Sequence, residues 1–333
     1  MVGVILLQLG TPDEPTPGAL RRYLREFLSD RRVIDLPRAL WWPILHGIVL
    51  RFRPKQSALL YKKVWTPEGS PLLVTTQAQA RALEKTLSAR SGERVRVVVG
   101  MRYGRPSIAD AIRELTQAGV SRMLAFPMYP QYASATTGSS LEQLCREIEG
   151  LRVVPSVRVV PPYYDDPGYI NALSAVARES LKDVPHRPTH VLLSFHGLPK
   201  RYAELGDPYP QHCAETARLL EPALGLPPGG ATVVFQSRFG SEEWLQPYAE
   251  PMLASLGSLK ARVAIMCPGF TADCLETLEE IRLRGLEQFE LWGGHEYHFI
   301  PCLNEHPVWL DAMANIAERE LAGWIAGCYT PAS

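Results

Sequence analysis

What this sequence lacks narrows its function before any motif is read. It lacks net charge: Lys+Arg and Asp+Glu both total 35 of 333 residues. With no basic excess, basic tail or basic amphipathic helix, nothing here draws nucleic acid. It lacks paired cysteines. Cys145, Cys213, Cys267, Cys274, Cys302 and Cys328 are scattered, with no Cys-x-x-Cys. That argues against a disulfide framework or zinc knuckle and for a reducing, cytoplasmic setting. It lacks an apolar run near the ~20 residues needed to span a bilayer. The greasiest stretch, 39–50, is broken by Pro43, His46 and Gly47. Met1 leads straight into apolar Val2-Gly-Val-Ile-Leu-Leu7, without the positive region or small-residue cleavage site of a secretory leader. There is no Gly-x-Gly-x-x-Gly and no Gly-x-x-x-x-Gly-Lys-Ser/Thr, so dinucleotides and nucleoside triphosphates lack their usual phosphate cradles.

What is present is length for two domains of roughly 100–200 residues each, and enough apolar residues, 46%, to give both a core. It is also a duplication. Val4–Pro12 and Val191–Pro199 are apolar runs ending in Gly-x-Pro. Val97–Gly104 is echoed by Val233–Gly240, Met123–Pro127 by Ala264–Pro268, and Val159–Pro167 by Phe299–Pro307. Continuous β-branched runs are the mark of buried parallel strands. Helical patterns separate them: 77–91, 107–118 and 141–149 in the first half, then 211–224, 244–256 and 275–284, with a last helix over 308–326. Alternating strands and helices predict an α/β fold of two similar doubly wound lobes with a cleft between them. The N-terminal lobe spans 1–151, completed by 308–326. The C-terminal lobe spans 152–307. The first lobe holds some fifty extra residues, an insertion at about 13–70. Ligands in such folds bind outside the carboxyl ends of the strands.

Several side chains at those ends can do chemistry. His196, in Ser-Phe-His-Gly-Leu-Pro, suits proton transfer or metal ligation, and equally a satisfied structural role. Glu276 follows the third strand of the second half. Helix capping, with Thr271 or Asp273 as N-cap, explains an acid there but not its pairing with His196. Arg102-Tyr103 and Arg238-Phe239 occupy matched places. Each arginine serves as a carboxylate fork or as a tie between strand ends. Tyr129–Ser140 is a hydroxyl-rich turn, either an anion site or an ordinary helix start. His295-Glu-Tyr-His298 reads as polar residues on an edge strand.

Taken in order, Gly10-Thr-Pro12, Phe27–Pro37, Tyr61 with Gly69-Ser-Pro71, Met101-Arg-Tyr103, Tyr129-Pro-Gln-Tyr132 through Ser140, Ser194–Pro199, Gly206–Pro210, Gln236–Gly240 with Trp244, and Pro268–Leu278 resemble the ferrochelatases over nearly the whole chain. The resemblance implies an enzyme that bends a free-base porphyrin and exchanges its two N–H protons for ferrous iron, the last step of haem biosynthesis. His196 and Glu276 match the metal and proton side. Leu9, Arg53, Tyr61, Ser70, Arg102, Tyr103 and Tyr129 match positions near the macrocycle, with Trp244 and Phe270 as aromatic walls. The insertion matches a lip over the porphyrin mouth, where Trp41, Trp42, Ile44 and Leu45 grip the macrocycle or touch the membrane peripherally. Part of the insertion also reads as a buried helical hairpin.

The resemblance also bears on cofactors and substrate. Iron enters as substrate and no cofactor stays bound. Some members hold an iron–sulfur cluster on three C-terminal cysteines and a fourth after the Tyr-Pro-Gln-Tyr motif. This chain has only Cys328 and, after the motif, Ser134, so no cluster is expected. Some relatives have histidine where this chain has Cys274. The coproporphyrin-using type usually has tyrosine where this chain has Leu9. That apolar residue, the apolar lip and the few cations after it (Arg53, Lys55) favour protoporphyrin IX. A porphyrin or haem carrier, and a chelatase for coproporphyrin III or sirohydrochlorin, are the competing readings. The apolar lip argues against the carboxylate-rich substrates.

Overall fold

The structure, a computed structural model, describes residues 1–326. Cys328 lies outside them. Eight strands form in chain order: β1 (Val2–Thr11), β2 (Val95–Gly104), β3 (Arg122–Pro127), β4 (Ser156–Val159), β5 (His190–His196), β6 (Ala231–Gln236), β7 (Arg262–Met266) and β8 (Glu296–Ile300). They make two four-stranded sheets, β2-β1-β3-β4 and β6-β5-β7-β8, with all pairings parallel. The strand order is the same in both, so the sequence duplication is a duplication of topology. Helices cover both faces of such sheets, which is why the central strands are apolar throughout. Val4 to Leu7 of β1 and Leu192, Leu193 and Phe195 of β5 are all at most 1% exposed.

Two compact units result among the described residues: 1–128, 134–161 and 313–326, and 129–133 with 162–312. The boundary therefore falls at 161/162 and not 151/152, and the Tyr129–Ala133 segment belongs to the second unit. In unit 1, Ile5, Leu7, Val98, Ile112 and Leu115 centre one core cluster. In unit 2, Leu192, Val234, Val263, Ile265 and Phe289 centre another.

Local chemistry moves some elements from where periodicity put them. The helix expected from Trp244 begins at Ala249, because Trp244 is held in a loop that bridges to Pro199. The segment expected as an α-helix over 275–284 is a π-helix, Glu276–Gly285, followed by an α-helix over Leu286–Leu291. The last helix is Pro307–Leu321. The insertion folds as helices Pro17–Leu28, Arg38–Ile44 and Leu50–Val64, the last two joined by a π-helical turn, Leu45–Val49. No described helix is long and apolar enough to cross a membrane.

Candidate active site

In unit 2, His196 is the last residue of β5 and is half-buried. Its Nδ1 lies 2.7 Å from the carbonyl oxygen of Gly197. A carbonyl can only accept, so Nδ1 donates, and in a neutral ring Nε2 keeps its lone pair for a proton or a metal. Gly197 permits a close turn here. A Cβ would stand 2.9 Å from the Gln236 carbonyl oxygen and 3.0 Å from the Trp244 ring. Trp244 thus packs against Gly197, half-buried, its indole N–H without a hydrogen-bond partner. Phe270 is half-buried and leans on the unit 2 core.

Glu276 is half-buried and opens the π-helix. Neither Thr271 nor Asp273 caps this helix. The residue before it is Leu275, and no side chain caps the end. Asp273 is occupied instead: Thr277 donates to its Oδ1 at 2.8 Å and the Asn304 amide to its Oδ2 at 2.6 Å. The Cys274 thiol, two residues before Glu276, is buried. Burial pushes this thiol well up, and the Glu276 charge pushes it further, so it stays an S–H group at neutral pH.

In unit 1, of the two readings open for Arg102, the structure shows the tie. Arg102 donates through Nε to the Ser139 hydroxyl at 2.7 Å and through its terminal nitrogen to Asp30. Tyr103, 1% exposed, donates to the same carboxylate at 2.8 Å, as do the Ser139 hydroxyl and the Arg32 backbone N–H. Arg102 and Tyr103 are ties inside unit 1, because a buried carboxylate claims their donors first. Burial raises the Asp30 carboxyl, but Ser139, Arg32, Tyr103 and Arg102 together hold it below its usual range. Asp30 was not singled out by the sequence, since its partners lie 72, 73 and 109 residues away.

The remaining expected residues fall as follows. Leu9 is half-buried near the end of β1. Ser70 is 3% exposed and accepts from Thr11 at 2.8 Å. Tyr61 is buried, edge-on to Trp65. Arg53 is half-buried, and burial lowers its pKa. Tyr129 is half-buried at the head of a motif that unit 2 uses for its own packing. There Tyr163 donates to the Pro130 carbonyl, Gln131 donates to Thr216 at 2.9 Å, and the Tyr132 N–H donates to His212 Nδ1 at 3.1 Å. The lip quartet divides. Trp41 and Leu45 are 8% and 0% exposed, with the Trp41 indole donating to the Leu28 carbonyl at 2.7 Å. They are core residues, which corrects the expectation that they face a ligand. Trp42 and Ile44 are exposed, with Leu36, Leu40, Ile48, Phe52 and Leu59. Ser134, where a cluster ligand stands in some relatives, accepts from Arg32 at 3.0 Å. His295–His298 runs into β8, an edge strand.

A sequence profile of the Ferrochelatase family matches residues 1–321. The ferrochelatase of Chromobacterium violaceum is 49% identical over 323 residues, covering 97% of this chain and 88% of its own. That of Bordetella pertussis is 49% identical over 327 residues, covering 98% and 90%. Among solved structures, SirB from Bacillus subtilis with Fe3+ has a TM-score of 0.54 at 17% identity, covering 74% of this chain and 90% of SirB. CbiX, a terminal enzyme of sirohaem biosynthesis in denitrifying bacteria, has a TM-score of 0.50 at 13% identity, covering 96% and 98%. These structural likenesses establish a shared chelatase-like α/β fold.

Proposed function

This chain belongs to the ferrochelatase family and is an enzyme that inserts iron into a porphyrin, and we propose that the porphyrin is protoporphyrin IX, with His196 and Glu276 handling metal and protons. Ferrous iron replaces two pyrrole N–H protons, giving protohaem and two protons. The observation that carries the residue assignment is the Gly197 carbonyl at His196 Nδ1, which fixes the tautomer and leaves Nε2 as a base or ligand. Glu276 supplies a carboxylate that balances metal charge or accepts a proton.

Protoporphyrin is favoured by apolar Leu9 at the end of β1 and by the lip. Seven large apolar side chains, from Leu36 to Leu59, are 42–65% exposed. Apolar exposure on that scale marks a surface that meets an apolar partner. The lip therefore touches the membrane that delivers the porphyrin, peripherally and without spanning it. Iron is substrate here, and the chain carries Ser134 where some members of the family have a cluster cysteine.

The test mixes ferrous iron and porphyrin anaerobically with the protein and follows the absorption spectrum. Accelerated metalloporphyrin formation is expected, with a higher kcat/KM for protoporphyrin IX than for coproporphyrin III in direct competition. A clear preference for the tetracarboxylate would overturn the substrate assignment, and no acceleration with either would overturn the activity.

A further inference from the structure

We propose that Gln236 is the positioning residue of this site, fixing where Glu276 stands relative to His196 by bonding both elements at once. The inference rests on the reading that His196 and Glu276 handle iron and protons. Gln236 ends β6 and is the register partner of His196. Its backbone carbonyl accepts the N–H of Gly197 at 2.8 Å. Its side chain, buried at 3% exposure, spends both ends of the amide. Oε1 accepts from the Ser194 hydroxyl at 2.7 Å, and Ser194 lies two residues before His196 on β5. Nε2 donates to the backbone carbonyl of Glu276 at 2.9 Å. A carbonyl accepts only, so the amide works in one orientation: NH2 toward Glu276, oxygen toward Ser194.

The helix at the far end of this bridge receives donors from outside its own ladder. Glu276 opens a ten-residue π-helix. A widened turn takes its carbonyls off the α ladder and persists where outside groups serve them. Gln236 serves Glu276, and the Tyr297 hydroxyl on β8 serves Ile281 at 2.6 Å. The next residue reinforces the grip. The Ser237 backbone N–H donates to Glu280 at 2.7 Å and its hydroxyl to the other carboxylate oxygen. Ser237 holds φ at +65°, a left-handed conformation that a non-glycine residue adopts only when its surroundings impose it. The 236–237 pair thus reaches one turn of the helix at two points, the carbonyl of Glu276 and the carboxylate of Glu280.

The experiment compares the parent with Gln236→Glu, which keeps the shape and the acceptor toward Ser194 but turns the donor into a carboxylate oxygen facing a carbonyl. Ferrous insertion is measured from pH 6 to 8.5, with KM for porphyrin and kcat separated and the melting temperature recorded at each pH. The expected result is a kcat about tenfold or more below the parent at pH 8, because displacing a reacting group by a fraction of an ångström is costly. KM for porphyrin stays within twofold. The ratio of variant to parent rises as pH falls, since the introduced carboxyl, once protonated, again donates to the Glu276 carbonyl. A kcat within twofold of the parent at every pH overturns the proposal. So does a loss confined to KM, or one that is constant with pH. Gln236→Leu, which has no donor at any pH, should show no recovery at low pH; equal recovery in both variants also overturns it. A parent that inserts no iron would instead sink the functional reading, and this inference with it.

Discussion

In unit 1 the charge at the carboxyl end of β2, Arg102, is already matched by Asp30; in unit 2 the equivalent ends of β5 and β6 leave a base open. Arg102, Tyr103 and Ser139 all converge on Asp30. Around His196 the polar residues are spent differently. Gln236, Ser194 and Ser237 hold the framework, and the histidine keeps Nε2 available. Two copies of one topology thus divide the labour, one end closed by ion pairing and the other held open by hydrogen bonds that leave the histidine out. A charged residue at a strand end signals chemistry only when nothing nearby has satisfied it.

The contrast is broken most severely in unit 2. His196→Ala should cut iron insertion by about 100-fold or more, the scale of a lost acid–base group, while the melting temperature changes little. Near-normal turnover would make His196 structural. Glu276→Gln should act in the same sense, because an amide neither accepts a proton nor balances metal charge. Asp30→Ala should do the reverse in unit 1. It strands the Arg102 guanidinium, 15% exposed, without its partner, and should cost about 3–5 kcal/mol of stability. Denaturant unfolding measures this; a loss below about 1 kcal/mol would show that the hub is not a structural tie.

The lip offers a milder version of the same opposition. Trp41→Ala should destabilise by about 3–5 kcal/mol, leaving a cavity and the Leu28 carbonyl unpaired. Trp42→Ala should stay within about 0.5 kcal/mol yet weaken binding to vesicles or detergent. If both tryptophans behaved alike in either assay, the division of the lip would be wrong.

Acid should separate the units with the smallest effect. The His212 imidazole is held below its ordinary 6.5 chiefly by burial, against the opposing pull of Asp165 and Asp207. Being depressed, it contributes stability that is fully present above pH 6.5 and lost as pH falls through its folded value. Its Nδ1 accepts the Tyr132 N–H, which protonation forbids. The melting temperature should therefore drop by about 1–2 °C between pH 7.5 and 5.5, and His212→Asn should flatten that slope. Asp30 is depressed from 3.8, so its contribution to unit 1 should survive until below about pH 4.

The fold was legible because buried parallel strands must be apolar on both faces, and the four pairs of echoing runs marked all eight. His196 drew notice because it ends β5, and Glu276 because it opens the helix that follows β7. Gln236 was quoted within a motif, yet its amide partners lie 42 and 40 residues away on separate elements, and no local pattern announces that. The π-helix was hidden for a related reason. Leu275–Arg284 has the apolar spacing of an ordinary helix, and the donors from β6 and β8 that meet its carbonyls lie far off in sequence. Alternate burial of Trp41 and Trp42 follows from helix geometry, which places adjacent residues about 100° apart; a run that is greasy all round does not say which face turns inward.

The way the chain returns to unit 1 sets an order on its birth. Residues 313–326 pack with 1–128. Arg90 pairs with Asn315 and Glu318, Arg158 donates to the Glu320 carbonyl, and Ala326 donates to Glu93. As the chain leaves the ribosome, unit 2 has every one of its residues by Ala312, while the half begun first still awaits its closing helix. The earlier half must therefore remain incomplete through the synthesis of the later one, exposing the apolar surface that Met313, Ile316 and Ala317 will cover, and it is this waiting half that chaperones would meet.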